Sequence, residues 1–226
     1  MLPLTSALQN TIRLHGGKRA IVDAETELTW RQYGDGIARA AGLLRQLGVS
    51  PGRRFAILGR NSWRQAELIY AGYWCGGVPV PINYRLAPRE IAGILEDADC
   101  ALLALDPAFA GLLQSSEFAG WGERVLSLQA ELYDQRKSLA LPLAMVEAEE
   151  DQDALMLYTG GTTGGGKGVR LSHRNIVANA LQIMHVMSPH QSDVYLHATP
   201  MFHAAEVKST IFTMFGAAHA YLPDFT

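Results

Sequence analysis

Cysteine is nearly absent. The 226 residues include only Cys75 and Cys100, too few for a disulfide scaffold and in keeping with a reducing compartment. Charge is also sparse, at 18% of residues, and neither sign prevails: 19 lysines and arginines against 22 aspartates and glutamates give a net charge of -3. Binding nucleic acid requires clustered basic side chains to neutralise phosphates, so no nucleic-acid partner is expected. Long apolar runs are missing as well. The uncharged stretch from Leu68 to Tyr84 is interrupted by Gly76, Gly77, Pro79 and Pro81 and falls short of the ~20 apolar residues of a membrane span. The opening M-L-P-L-T-S-A-L-Q-N has no basic segment ahead of an apolar one, so no secretory signal is expected. What the chain does have is 48% hydrophobic residues, enough to bury a sizeable core. A cytoplasmic globular protein is the expectation.

The hydrophobic pattern alternates between short apolar runs and helical stretches. Thr29 with Gln32 forms a capping box, Ile37, Ala41 and Leu44 share a helical stripe, and Gly48 and Pro51 end it. A strand-length run follows around Phe55, and Ser62 with Gln65 repeats the capping box of a helix that ends at Gly76-Gly77. V-P-V-P-I reads as a strand whose prolines point to an edge position or an early ending. A helix from Pro88 to Asp97 leads to C-A-L-L-A-L, a strand buried on both faces, and R-V-L-S-L continues the series. Beyond the glycine-rich loop, the pattern predicts a helix from Ser172 to Met187 and a strand over Val194–Ala198. It then predicts one helix over Ala204–Phe215 and a strand over Ala217–Leu222. Such alternation predicts an α/β fold, with βαβ units forming a largely parallel doubly wound sheet. Three segments are expected: an N-terminal α/β subdomain (1–133), an acidic surface connection (134–153), and a loop-bearing segment that starts a second subdomain (154–226).

The chemistry concentrates in Y-T-G-G-T-T-G-G-G-K-G-V, residues 158–169, where Gly160, Gly161, Gly164, Gly165, Gly166 and Gly168 are glycine. A backbone without Cβ atoms can turn several N–H groups onto one anion. Thr159, Thr162 and Thr163 add hydroxyls, and Lys167 adds a mobile cation. Glycine, hydroxyl and lysine together suit a polyphosphate. Gly161 to Lys167 also satisfy the opening of a Walker A motif, so a P-loop NTPase is a remote alternative. Against it, Gly168 stands where a magnesium-binding Ser or Thr belongs, and Val169 and Leu171 alternate as in a strand. The seven histidines show no metal-ligand spacing, and no protein-held metal is expected.

These residues resemble a known family. L-Y-T-G-G-T-T-G-G-G-K-G-V-R-L-S-H-R-N is similar to the phosphate loop of the adenylate-forming (AMP-binding) enzymes, which include the acyl-CoA synthetases. The stretches around G-R-N-S and G-G-V-P-V-P-I-N-Y-R fit the same family, and T-P-M-F-H-A-A-E, residues 199–206, resembles its histidine motif. The chain departs from that pattern at Gly160 (usually serine), Gly166 (usually proline) and Glu206 (usually glycine).

The resemblance implies the N-terminal part of such an enzyme's large domain. It implies ATP bound by Thr159, Gly160, Gly161, Thr162, Thr163, Gly164, Gly165, Gly166 and Lys167, with Lys167 and His203 as catalytic residues and His203 at the acid pocket. On the residues alone, His203 reads first as a histidine capping or packing on the helix that follows it, and the motif around it shifts that reading toward the pocket. A small carboxylic acid would be the substrate and coenzyme A the co-substrate. Magnesium ligands would lie mostly further along the family's sequence. The reaction implied is acid activation through an acyl-adenylate followed by thioester formation, as in an acyl- or aryl-CoA ligase, with this portion inactive alone. Self-association through surface that the remainder would cover is a further expectation. The alternative is a non-catalytic half-enzyme that binds an acid or a nucleotide.

Overall fold

The computed structural model describes residues 3–24, 26–159 and 166–223. The chain opens with helix α1 (Leu4–His15), the hairpin β1 (Arg19–Asp23) and β2 (Thr26–Thr29), and helix α2 (Trp30–Gln46). Strands β3 (Arg54–Leu58), β4 (Val78–Ile82), β5 (Leu103–Leu105) and β6 (Val125–Ser127) follow. They are linked by α3 (Trp63–Cys75), α4 (Pro88–Asp97) and a run of 3-10 turns. Helix α5 (Ala130–Leu139) precedes the hairpin β7 (Asp153–Thr159) and β8 (Lys167–Ser172). After it come α6 (His173–Met187), β9 (Val194–His197), α7 (Ser209–Met214) and β10 (Ala218–Tyr221).

Local chemistry accounts for most of these boundaries. Thr29 caps α2 with the full reciprocal box to Gln32, and Ser172 does the same for α6 with Asn175. At α3 only half of the expected box forms. Ser62 accepts from the Gln65 amide at 3.2 Å, but the Gln65 side chain is buried and its oxygen has no partner. Gly76 ends α3 with φ of 76°, a left-handed conformation that favours glycine.

Strands β4-β3-β5-β6 form one fully parallel sheet, in that order. Strand β4 lies at its edge, where the missing N–H groups of Pro79 and Pro81 disrupt no ladder on the outer side. Alternation along β3 splits the core. Phe55 and Ile57 face α2 and α3 with Tyr33, Ile37 and Leu68, while Ala56 and Leu58 face α4 with Ile91 and Leu95. Helices thus cover both faces of a parallel sheet, the doubly wound arrangement that the sequence pattern predicts.

The second sheet, β2-β1-β10-β9, joins both ends of the chain: Ile21 on β1 pairs in parallel with His219 on β10. Helix α1 and the β1–β2 hairpin were not read from the sequence. Thr11 on α1 donates to the Thr213 carbonyl at 3.0 Å, and the Trp30 indole to that of Gly216 at 3.2 Å. The expected single helix over residues 204–215 is corrected. A 3-10 turn (Ala204–Lys208) precedes α7, because the Glu206 N–H bonds to the His203 carbonyl three residues back.

The acidic connection lies over α2 and α3. The Leu143 amide donates to the Ala38 carbonyl, the Trp74 indole donates to that of Leu143, and the Val146 amide to that of Trp74. Gly42 on α2 permits this approach, since a Cβ there would collide with the Leu141 carbonyl oxygen.

Beneath lies a buried ion pair. Glu67, 1% exposed, accepts from Lys137 at 2.9 Å and from the Tyr133 hydroxyl at 2.7 Å. Burial raises the carboxyl's pKa, and Lys137 acts against that rise. Removing one partner of such a pair costs more than removing both. Lys137→Met is therefore expected to lower stability by about 3–5 kcal/mol in urea unfolding near neutral pH. The double variant Glu67→Gln/Lys137→Met should recover much of that loss. A single variant as stable as the parent would show that Glu67 needs no cation.

Candidate functional site

Strand β7 is the spine of the site. Leu155, Leu157 and Thr159 lie on one face, two residues apart, while Met156 and Tyr158 on the other pack into the core around α4. Leu155 and Leu157 wall a cavity of about 60 Å³, together with Ala66, Ile69, Ile176 and Val207. The same strand face then delivers Thr159 to the mouth of the glycine loop.

Across that mouth Thr159 stands in register with Lys167, the first residue of β8, and both are exposed. The Thr159 hydroxyl makes a long contact to the Lys167 carbonyl, 3.5 Å. Gly166 lies against Thr159, and a Cβ there would come within 3.0 Å of its carbonyl oxygen. A hydroxyl and an ammonium stand on either side of Gly166, which carries no side chain, a donor set that fits phosphate oxygens. Gly160, Gly161, Thr162, Thr163, Gly164 and Gly165 lie outside the described residues. The loop passes from strand to strand, and α6 begins only after Ser172, whereas a Walker A loop opens a helix.

His203 follows β9 and reaches the same cavity from the other side. Its Nδ1 accepts from the Ala205 amide at 3.1 Å, so the ring caps the 3-10 turn. An Nδ1 that accepts leaves the neutral ring's proton on Nε2, which is then a donor. The cap and the pocket wall are thus one residue in one orientation. Seen in the structure, the two readings of His203 do not compete.

Three features were not anticipated. The first is Asn61, just after β3 and 5% exposed. Its amide donates to the carbonyls of His197 and Thr199 at 2.9 and 2.8 Å and accepts from the Met201 amide at 2.8 Å. It fastens the segment leading to His203. The signal was present in G-R-N-S, but nothing local to that tetrapeptide reveals a bond to residues 197–201.

The second is a buried polar chain along the cavity wall. Glu206 Oε2 lies 2.7 Å from His197 Nδ1, and His197 Nε2 lies 3.0 Å from His219 Nδ1. His219 Nε2 lies 3.0 Å from the Thr213 hydroxyl, which lies 2.7 Å from that of Tyr70. Burial pushes the Glu206 carboxyl up to about 7, with Lys208 and the Thr199 and Tyr195 hydroxyls opposing the rise. Burial lowers His197 to about 3 and holds His219 well below the ordinary imidazole range, where His197 adds to the effect. From the sequence, Glu206 should repel an acid substrate unless Lys208 compensates. In the structure, desolvation favours its neutral form.

The third is an open cleft of about 360 Å³ beyond the carboxyl ends of β3, β4, β9 and β10, lined by Asn61, Tyr84, Arg85, Thr199, Leu222 and Pro223. Ligands of open α/β sheets bind in such crevices. Arg85 is exposed and lies 5.5 Å from the centre of the Tyr84 ring. Cys75 and Cys100 are buried in the core, as expected of small hydrophobes, and burial raises the Cys100 thiol to about 12.

By class, then, this is an α/β fold with a largely apolar cavity walled by the strand that leads into the glycine-rich loop. The chain belongs to the AMP-binding enzyme family, which it matches over residues 8–226. It is 32% identical over 191 residues to a feruloyl-CoA synthase of Amycolatopsis sp, an alignment that covers 84% of this chain and 36% of that protein. A long-chain-fatty-acid–CoA ligase of Thermus thermophilus is 33% identical over 218 residues, covering 89% of this chain and 39% of that one.

Among solved structures, the N-terminal domain of FACL13 from Mycobacterium tuberculosis superposes with a TM-score of 0.90 at 26% identity. That match covers all of this chain and 58% of that one. ATP-bound MatB from Rhodopseudomonas palustris gives 0.87 at 26% identity, covering 99% and 46%. The chain therefore spans less than two fifths of either curated relative. No described helix is long and apolar enough to cross a membrane.

The buried histidines make a pH prediction. Unfolded, His173, His197 and His219 titrate near the ordinary value, about 6.5. Folded, burial keeps His173 neutral down to about 4 and His197 down to about 3, with His219 also lowered. Below about pH 6.5 the unfolded chain thus binds protons that the fold refuses, and stability falls as pH falls. Glu206 works the other way, since its raised carboxyl favours the fold in acid and that contribution is lost as pH rises through about 7. The three histidines outnumber the two carboxyls that oppose them, Glu206 and Glu67, whose pKa burial also raises, so stability should fall as pH drops from about 6.5 toward 5. Urea midpoints measured across that window check it. A flat profile would mean that the fold already tolerates charged histidines.

Proposed function

We propose that the complete protein is an AMP-forming acid–thiol ligase, acting on a small carboxylic acid with ATP, magnesium and coenzyme A. The observation that carries this reading is the single row Leu155, Leu157, Thr159, which runs from the apolar cavity to the mouth of the glycine loop. An acid lying in the cavity would present its carboxylate toward the loop. In the first half-reaction an oxygen of that carboxylate attacks the α-phosphorus of ATP, and the bond to the departing pyrophosphate breaks. In the second, the thiol sulfur attacks the acyl carbon of the adenylate, AMP leaves and the thiol proton is released.

In-line attack at phosphorus is chiefly a matter of position and charge neutralisation. Lys167 would pair with the β- and γ-phosphates, and Thr159, together with the loop residues 160–166, would donate hydrogen bonds to them. His203 Nε2–H, its direction fixed by the cap to Ala205, would donate to the acid carboxylate. Asn61 is a positioning residue that holds the segment carrying His203. Magnesium ligands and the thiol site are assigned to the rest of the enzyme, so this portion alone should bind nucleotide weakly and turn nothing over.

The test is carboxylate-dependent ATP–pyrophosphate exchange in the full-length protein. Removing a preorganised donor or cation of this kind typically costs roughly 100- to 1,000-fold in rate. Lys167→Ala should lower exchange on that order while leaving the unfolding midpoint in place. Unchanged exchange would remove Lys167 from the mechanism. Absence of exchange with every acid tried would leave a nucleotide- or acid-binding half-enzyme as the better reading.

A further inference from the structure

Lys167 sits on a strand with little to hold it. Among the described strands β8 pairs with β7 alone, and Lys167, Val169 and Arg170 are exposed. What lies beneath is the ring of Tyr158. Tyr158 is in register with Gly168, and Thr159 with Lys167, so alternation puts the ring on one face of the hairpin and Thr159 with Lys167 on the other. A Cβ added to Gly166 would meet Tyr158 Cδ1 at 3.5 Å, and one added to Gly168 would meet Tyr158 Cζ and its hydroxyl oxygen at 3.1 Å, with Met156 beside them. The ring therefore runs along the backbone from Gly166 to Gly168, in space that two side chains would otherwise take, and Lys167 stands between those glycines.

The far end of the ring is anchored. The Tyr158 hydroxyl donates to Asp97 Oδ2, and Asp97 is the last residue of α4, the helix whose Ile91, Ile94 and Leu95 are buried in the core on that side of the parallel sheet. A carboxylate at a helix C-terminus opposes the macrodipole, and the last turn of α4 holds no basic residue to offset it. The position of Asp97 thus serves its partner rather than its helix. Burial, together with the bond to Asp97 and its charge, raises the Tyr158 hydroxyl above its ordinary value, so the group remains a donor.

Resting on the ligase reading above, we propose that Tyr158 is a positioning residue for Lys167: its ring supports residues 166–168, and its hydroxyl, fixed to Asp97, ties that support to α4, so that the ammonium is in place before ATP arrives. Without the tie, the nucleotide itself must order an exposed edge strand, and that cost is subtracted from ATP binding. The acid is insulated from the loss, because its cavity lies on the opposite face of β7, against Leu155 and Leu157.

The experiment is ATP–pyrophosphate exchange by the full-length enzyme, with ATP and the acid varied in turn. Tyr158→Phe keeps the ring and removes the tie. Asp97→Ala, at an exposed site, removes the same tie from the other side and serves alone should Tyr158→Phe fail to fold. Each should lower kcat/KM for ATP roughly three- to tenfold, the range of one hydrogen bond, with KM for the acid unchanged. Asp97→Asn, whose amide oxygen accepts the same bond, should stay within about twofold of the parent. In a Lys167→Ala background the loss on removing the tie should vanish, since changes that act through one group do not add. Unchanged ATP kinetics on removing the tie, an equal loss for ATP and acid, or a loss that persists beside Lys167→Ala overturns the proposal and leaves the ligase reading intact. No exchange with any acid overturns both.

Discussion

The site depends on one fully satisfied amide. Asn61 sits just after β3, in the sheet built around α2, α3 and α4, and all of its bonds go to backbone just after β9, in the other sheet. Both of its donors and its acceptor are used, at the inner wall of the open cleft. No other side chain of that length offers two donors and an acceptor in one plane. Because it grips the carbonyl of His197 itself, it fixes where that imidazole lies, and with it the Glu206 carboxyl and the polar wall of the cavity. Because it also holds Met201, it sets the start of the segment that turns His203 toward Leu155 and Leu157.

The molecule accepts a cost for this arrangement. Five polar side chains in series, two of them imidazoles kept neutral by burial, occupy space that aliphatic residues would fill more stably. Elsewhere the core follows the simpler rule. Phe55, Ile57, Leu58 and Leu68 are fully buried and hydrocarbon throughout, and the one buried ion pair there, Glu67 with Lys137, is closed by Tyr133. Local disagreement with the rules of packing is expected where a binding site lies. Here the cavity wall holds the longest such series, beside isolated cases such as the unpartnered Gln65 oxygen on α3.

Much of the fold was legible because its signals are local. The capping residues Thr29 and Ser172, the stop at Gly76 and the alternation of β3 all act within a few residues of themselves, and the structure agrees with them. The prolines of β4 marked an edge for the same reason. What could not be read is what depends on distant partners. Strand β1 is held by β10, some 200 residues later, Asn61 by residues at and just after the end of β9, and the Glu206 carboxyl by His197. Glu206 was visible as a departure from the family pattern, but its bond to His197 was not. His203 was legible as a cap, and its imidazole accepts from the Ala205 amide while lining the cavity.

The pairing of β1 with β10 also imposes an order on synthesis. The parallel sheet from β3 to β6 is complete within the first 127 residues and can form while the remainder is still being made. The second sheet cannot. Its first two strands leave the ribosome early and must wait, with the inner edge of β1 open, until residues 218–221 arrive to occupy it. Until then His219 is absent, the polar chain has no middle member, and Trp30 lacks the Gly216 carbonyl it finally bonds. A chain interrupted shortly before residue 218 would thus carry every strand of the parallel sheet but lack the strand that bears His219 and completes this wall of the cavity.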